Sequence, residues 1–414
     1  MIERRKAIGL AVGAAVVGRA SAQPAAGSRT PVLFCQSVGP VLAAYRPEVE
    51  SATLTRLGEI TLPANVQYAW RHPSSRVLYV ASSNGGPEGP GDRHFLNAVR
   101  IDPDGGPLSL HGEPAKLRAR PIHVSVDRAG EFILVAYNNP SGVTVHRIAP
   151  DGTPGDEVRQ AAPPEGGTYA HQILASPDNR TVILVTRGND TAAGKPEDPG
   201  ALKVFAFRDG QLALRQSVAP DGGHAFGPRH IDFHPTLPLV FASLERQNRL
   251  QVFGFNDGVM TPEPVLAVDT LQRPGALPPA QLAGTLHVHP NGRHLYVANR
   301  SDAVGTYQGG PIGLDGENSI AVFDLDPATG RPSPVQSADT RGFHPRTFSL
   351  DPTARMMVAA DIVGRRVRQG DGTALRPANL AIYRVGADGR LAFADSIPVE
   401  TGNLMQFWSG MVPL

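Results

Sequence analysis

His287-Val-His-Pro-Asn-Gly-Arg-His-Leu-Tyr-Val-Ala-Asn-Arg300 joins a tight turn to a run of apolar β-formers, and the chain repeats this phrase. Its other clear copies are Trp70-Arg-His-Pro-Ser-Ser-Arg-Val-Leu-Tyr-Val-Ala-Ser82 and His230-Ile-Asp-Phe-His-Pro-Thr-Leu-Pro-Leu-Val-Phe-Ala-Ser-Leu-Glu245. Taking the second turn residue as an anchor gives Pro73, Arg128, Pro177, Pro235, Pro290 and Pro352, with gaps of 55, 49, 58, 55 and 62 residues. A period in this range, with short strands and no sustained helical pattern, predicts the blades of an all-β propeller.

Each anchor reads as the turn between two antiparallel strands, an inner one such as His230 to Phe233 and a second such as Leu295 to Ala298. A third, alternating strand follows, as in Ala201 to Phe207, Leu250 to Phe255, Ser319 to Leu325 and Asn379 to Val385. It ends at turn signals such as Asp209-Gly210, Asp257-Gly258 and Asp388-Gly389, which lead into an outer fourth strand. Residues Pro31 to Thr61 supply three strands without an inner one, and Leu404 to Val412 forms an orphan strand at the other end. Pairing them completes a seventh blade and leaves no open sheet edge at the seam. The expectation is one domain over residues 31–414: a seven-bladed β-propeller with four antiparallel strands per blade, closed by its N- and C-terminal strands.

Composition agrees. The 45 Gly and 39 Pro fall mainly between strands, and 41% hydrophobic residues suffice to fill the layers between blades. The single cysteine, Cys35, excludes an intrachain disulfide framework and lies in an apolar strand, as a core thiol would. Residues 1–22 read as an export signal: Arg4-Arg5-Lys6, an apolar stretch from Ala7 to Val17, and Ala20-Ser21-Ala22 as the cleavage site. The paired arginines resemble a twin-arginine signal, and the apolar stretch is too short to span a bilayer. Removal takes Arg4, Arg5, Lys6, Arg19 and Glu3, so 39 basic and 38 acidic residues become 35 and 37. No basic tract survives, which argues against nucleic acid as the main partner, and no stable membrane insertion is expected once the signal is removed. A periplasmic monomer acting on a small molecule is expected.

The inner strand starts, and the second strand ends, on the same face of a propeller. Six residues before the anchors lie His171, Arg229 and Arg346; ten after them lie Asn138, Arg187, Glu245 and Arg300. These groups are predicted to ring one mouth of the central channel. Long insertions at 84–95, 188–200, 271–284, 301–318 and 363–378 fall on that same face, the binding side of a repeat fold. The histidines of the His-Pro pairs (His72, His234, His289 and His344) are expected to be structural turn residues. Arg187 and Arg346 have possible loop partners in Asp190 and Asp361. His230 is expected, by strand alternation, to point away from the channel into the sheet packing. Ionisable groups converging on a channel mouth are costly to desolvate without a ligand or a pairing network, which makes His171, Arg229, Glu245 and Arg300 the candidate site.

Over nearly its whole mature length the chain resembles the seven-bladed lactonase propellers, which include propeller-type 6-phosphogluconolactonases and the fungal carboxymuconate cycloisomerase. The resemblance rests on Pro121-Ile-His-Val-Ser-Val-Asp, Ala170-His171-Gln, Gly227-Pro-Arg-His-Ile-Asp-Phe-His-Pro235 leading to Glu245, and Leu295-Tyr-Val-Ala-Asn-Arg300. It implies His171, Arg229, Glu245 and Arg300 as active-site residues. Two departures flank them: Tyr169 stands where the family commonly has a histidine, and Thr186-Arg-Gly-Asn-Asp190 carries a cation where an acid is frequent. The implied activity is hydrolysis of a sugar or aromatic-derived lactone. Glu245 or His171 would activate water, Arg229 and Arg300 would stabilise the oxyanion, and Arg187, Arg346 and Asn138 would contact substrate. No cofactor and no metal is expected. A muconate-type cycloisomerase and a non-catalytic periplasmic binding propeller are the alternatives.

Overall fold

The computed structural model describes residues 32–414 apart from 87–88, 103–105, 107, 193, 276–279 and 315. The expected export signal, residues 1–22, lies outside the described residues. Seven four- or five-stranded antiparallel sheets form the blades of a propeller. Numbered in chain order from the terminal blade, blades two to seven have inner strands Asn65–Arg71, Pro121–Val126, Ala170–Ala175, Pro228–Phe233, Gln281–Val288 and Pro345–Leu350.

The terminal blade closes the ring as the sequence predicts. Ser409–Pro413 pairs antiparallel with Val32–Val38, placing Cys35 opposite Gly410. The closing strand is shorter than the expected Leu404 to Val412: residues before Trp408 leave the sheet, because Gln406 donates Nε2–H to the carbonyls of Asp361 and Asn379. That detour carries Phe407 across one mouth of the channel.

Second strands such as Val77–Ser83, Phe132–Asn138, Thr181–Thr186 and Met356–Asp361 are buried at every position. Both faces of each are covered by neighbouring blades, so they read as continuous apolar runs, while outer strands such as Thr53–Thr61 are largely exposed. The His-Pro turns tie blade to blade. His72 Nδ1 accepts from the backbone N–H groups of Ser74 and Ser75, and its Nε2 reaches the Gly130 carbonyl of the next blade at 3.0 Å. His234 repeats this with Thr236, Leu237 and Gly292. Gly130 and Gly292 sit at φ +75° and +67°, and a Cβ there would lie 2.6 and 2.7 Å from the imidazole.

Two insertions fold into β-hairpins, Val304–Tyr307 with Gly310–Gly313 and Arg365–Gln369 with Gly372–Arg376. Both follow second strands, on the face where the candidate residues lie.

Deleting residues 409–414 removes the strand that joins the chain ends and exposes the edge of Val32–Val38. The expected outcome is loss of the cooperative unfolding transition in calorimetry, since the apolar layers beside that strand then face water. A truncated chain that melts as sharply as the intact one would show that closure does not hold the ring.

Candidate active site

Each candidate on an inner strand rides on the same local irregularity. The register with the second strand slips between Val66 and Tyr68, Pro121 and His123, Ala170 and Gln172, Pro228 and His230, and Pro345 and Thr347. The skipped residues are Gln67, Ile122, His171, Arg229 and Arg346. A bulge inserts an extra residue and re-aims its side chain, so the position six before the anchor is a recurring presentation point.

The structure brings the buried Arg229, Glu245 and Arg300 and the half-buried Arg187 into one cluster. Glu245 Oε1 accepts from Arg229 Nε at 3.1 Å and Arg300 Nη2 at 2.5 Å, while Oε2 accepts from Arg187 Nη1 at 2.7 Å. These three arginines come from blades five, six and four. Burial alone would raise the Glu245 carboxyl, but Arg300, Arg229 and Arg187 outweigh it and hold it well below the usual carboxylate range. The expected loop partners are not used: Asp190 pairs with Arg246, and Asp361 accepts from Thr340 Oγ1 at 3.0 Å.

Arg346, also buried, joins the ring without an ion pair among the described residues. Its guanidinium carbon lies 3.7 Å from the centre of the Phe407 ring, and its Nε has no hydrogen-bond partner. Burial, with Arg300 and Arg120 acting in the same direction, lowers its pKa to about 9. Arg187 stacks in turn on Tyr169, 4.2 Å from the ring centre, with Tyr169 at φ +54°. Tyr169 thus supports Arg187 from one face. Asn138 is buried at the corresponding end of blade three and takes no part in the Glu245 cluster.

His171 is buried, and burial together with Arg229, Arg346, Arg187 and Arg300 holds its pKa well below the ordinary histidine value. The imidazole is neutral, and its Nδ1 has no partner. Behind it lies His230, at a ring-centre distance of 5.3 Å. His230 also meets His123 at 6.1 Å and Tyr68 at 6.4 Å, side chains that come from blades three and two. Contacts that reach across the ring place His230 on the channel axis, not in the sheet packing. The bulge at Arg229 cancels the alternation on which the expectation relied.

His344 is a second correction. Unlike His72 and His234 it lies on the candidate-site face, ahead of its inner strand, at φ +62°. Its Nε2 accepts from Arg300 Nη1 at 3.1 Å, and its Nδ1 lies 3.3 Å from Asp302 Oδ1. Accepting at Nε2 leaves the proton of a neutral imidazole on Nδ1, the side that faces Asp302, and the ring pins a guanidinium already bound to Glu245. Sequence spacing could have found it: in His344-Pro345 the proline opens an inner strand, seven residues ahead of its anchor Pro352.

The fold is a closed seven-bladed propeller that gathers arginines, one carboxylate and an imidazole at one mouth. Residues 35–368 match the lactonase family with a 7-bladed beta-propeller, and the chain belongs to that family. It is a lactonase hydrolase. It is 29% identical over 309 residues to the 6-phosphogluconolactonase of Cronobacter sakazakii, covering 74% of this chain and 80% of that one. The Klebsiella pneumoniae 6-phosphogluconolactonase is 28% identical over 308 residues, covering 74% and 81%. Among solved structures, a putative 6-phosphogluconolactonase from Bacteroides uniformis superposes with a TM-score of 0.70 at 19% identity, covering 93% of this chain and 100% of that one. A periplasmic gluconolactonase from Pseudomonas aeruginosa gives 0.68 at 20% identity, covering 89% and 97%.

Glu245→Gln keeps the side-chain shape and removes the charge shared by the three arginines. Leaving buried cations without their counter-ion is expected to destabilise the fold by about 3 kcal/mol, read from the denaturation midpoint. In the same variant kcat/KM should fall by about 10²-fold or more as the arginines lose their positions. Unchanged stability and activity together would show that the cluster neither holds the fold nor serves the reaction.

Proposed function

We propose that the protein is an exported hydrolase that opens an unphosphorylated lactone, with His171 as the base and Arg229, Arg300 and Arg346 as the cationic surface for the carbonyl oxygen and substrate anion. The observation that carries this is the charge balance. Three buried arginines, Arg229, Arg300 and Arg346, and the half-buried Arg187 surround the carboxylate of Glu245. The excess of buried positive charge favours an anion, whether a carboxylate on the substrate or the oxyanion that develops as a carbonyl is attacked. Arg229 Nη1 and Arg300 Nε have no partners and remain as unused donors.

Glu245 is a poor base in this setting, because three guanidinium groups stabilise its ionised form. Its role is to fix the arginines. His171 is neutral and can take the proton of a water molecule as the water oxygen bonds to the carbonyl carbon. Collapse of the tetrahedral intermediate breaks the ring C–O bond, the leaving alkoxide takes the proton back from His171, and a hydroxy acid results. An anion held by the arginines also cancels the field that depresses His171, so the imidazole becomes more basic as negative charge builds up on the oxygen.

Export is supported by the arginine pair and cleavage site within residues 1–22, leaving residues 31–414 as the mature domain. Among the described residues no helix is long and apolar enough to cross a membrane. Phosphogluconolactone arises in the cytosol, so an exported enzyme is better matched to an unphosphorylated substrate.

The acid limb of the kcat/KM profile should lie well below pH 6.5, because the depressed pKa keeps His171 in its basic form down to that region. His171→Gln should abolish that limb and lower kcat/KM by about 10²-fold or more, measured by pH-indicator hydrolysis of a lactone panel. An acid limb at the ordinary histidine value, or a variant of full activity, would remove His171 from the role. Cyclisation of muconate without hydrolysis of any lactone would move the site to isomerase chemistry.

Mass spectrometry of protein recovered from the periplasm should give a chain beginning at Gln23. Replacing Arg4 and Arg5 by lysines should block export if the twin-arginine route is used. A recovered chain beginning at Met1 would contradict the signal.

A further inference from the structure

Beside the catalytic ring, on the same face, lies a cavity of about 620 Å³ between the terminal and second blades. Its size falls within the roughly 300–1,000 Å³ typical of small-molecule sites. Arg120 and Gln67 form one wall, and the segment that crosses the mouth ahead of the closing strand supplies Leu404, Met405 and Phe407 as the other. Leu404 and Met405 are 43% and 38% exposed among the described residues and present apolar surface to the cavity. Arg120 is buried and donates Nε–H to Gln67 Oε1 at 2.9 Å, but it has no ion pair among the described residues.

Phe407 joins this cavity to the reaction site. Arg346 lies 3.7 Å from the centre of its ring and Arg120 5.9 Å. A lactone whose carbonyl meets Arg229 and Arg300 would therefore direct its substituent past Arg346 and along Phe407 toward Arg120. The wall it meets offers an aromatic ring and two apolar side chains, with a buried cation at the end. A polyhydroxylated sugar would leave that apolar wall uncompensated, whereas a planar or aliphatic body would bury it.

Resting on the lactone reading of the adjoining ring, we infer that the cavity selects a lactone with an aryl or other apolar body that ends in a carboxylate, the body lying against Phe407 and the carboxylate against Arg120. Arg346, stacked on the Phe407 ring, holds positive charge beside the apolar body.

The test uses the full mature chain and three probes: dihydrocoumarin, a dihydrocoumarin with a ring carboxylate, and D-glucono-δ-lactone. The expected order of kcat/KM places the carboxylated aryl lactone first and the sugar lactone last. Phe407→Ala should lower the ratio of aryl to sugar turnover by about 10-fold, the scale of a lost apolar contact in a specificity pocket. Met405→Asp changes a side chain at the exposed rim, where folding is not at issue, and should lower the same ratio. Arg120→Met should erase the advantage of the carboxylated probe over dihydrocoumarin. A sugar lactone opened faster than both aryl lactones, or ratios unmoved by Phe407→Ala and Met405→Asp, would overturn the inference and leave the hydrolase reading standing. If none of the three probes is opened, both fall together.

Discussion

The carboxylate of Glu245 accepts hydrogen bonds from Arg187, Arg229 and Arg300, and the architecture of the mouth depends on that meeting. Three blades each contribute a cation that is unfavourable to bury alone, and a fixed anion makes their approach possible. Because the anion is one and the cations are more, the cluster retains positive potential after its own pairing is complete. His171 beside it is then neutral for an electrostatic reason, not only because it is buried. The same field that fixes its protonation state would orient an incoming anion, so binding and acid-base chemistry share one origin.

What delivers these side chains is a backbone feature repeated from blade to blade. A bulge at the start of the inner strand presents His171, Arg229 and Arg346 at the mouth and turns the following residue toward the axis. The repeat was legible in the chain because turn residues and β-branched runs recur at a measurable period, and closure was legible because each end alone lacked strands. The bulge was not. Strict period-two alternation sends His230 into the sheet, and no residue type in Gly227-Pro-Arg-His230 marks the extra residue.

The site itself was legible to a different depth for each member. Counting from anchors located Glu245 and its three arginines, since the count follows the backbone and is indifferent to the bulge. Which acid each arginine meets was beyond reach, because a loop carboxylate near in sequence competes with a strand carboxylate near in space. Asp190 is three residues from Arg187, yet the pair forms with Glu245, 58 residues away. His344 was obscured by resembling the His-Pro turns on the opposite face. Phe407 was obscured by an apolar run that reads as continuous strand, although Gln406 anchors that run across the mouth through two buried backbone carbonyls.

Stacking on the ring arginines links these less legible residues. Tyr169 lies against Arg187 and Phe407 against Arg346, so two cations of the mouth each have an aromatic face on one side. A guanidinium so held keeps its charge and its in-plane N–H donors while losing freedom to turn toward other acceptors. Arg300 gains the same restriction from His344, whose Nε2 accepts from its Nη1. Apart from Glu245, the side chains that hold these arginines, Tyr169, Phe407 and His344, bring no opposing charge into the cluster. Positive potential survives at the mouth for that reason: had each arginine met its own carboxylate, the ring would be neutral, and His171 would have no field for a bound anion to relieve.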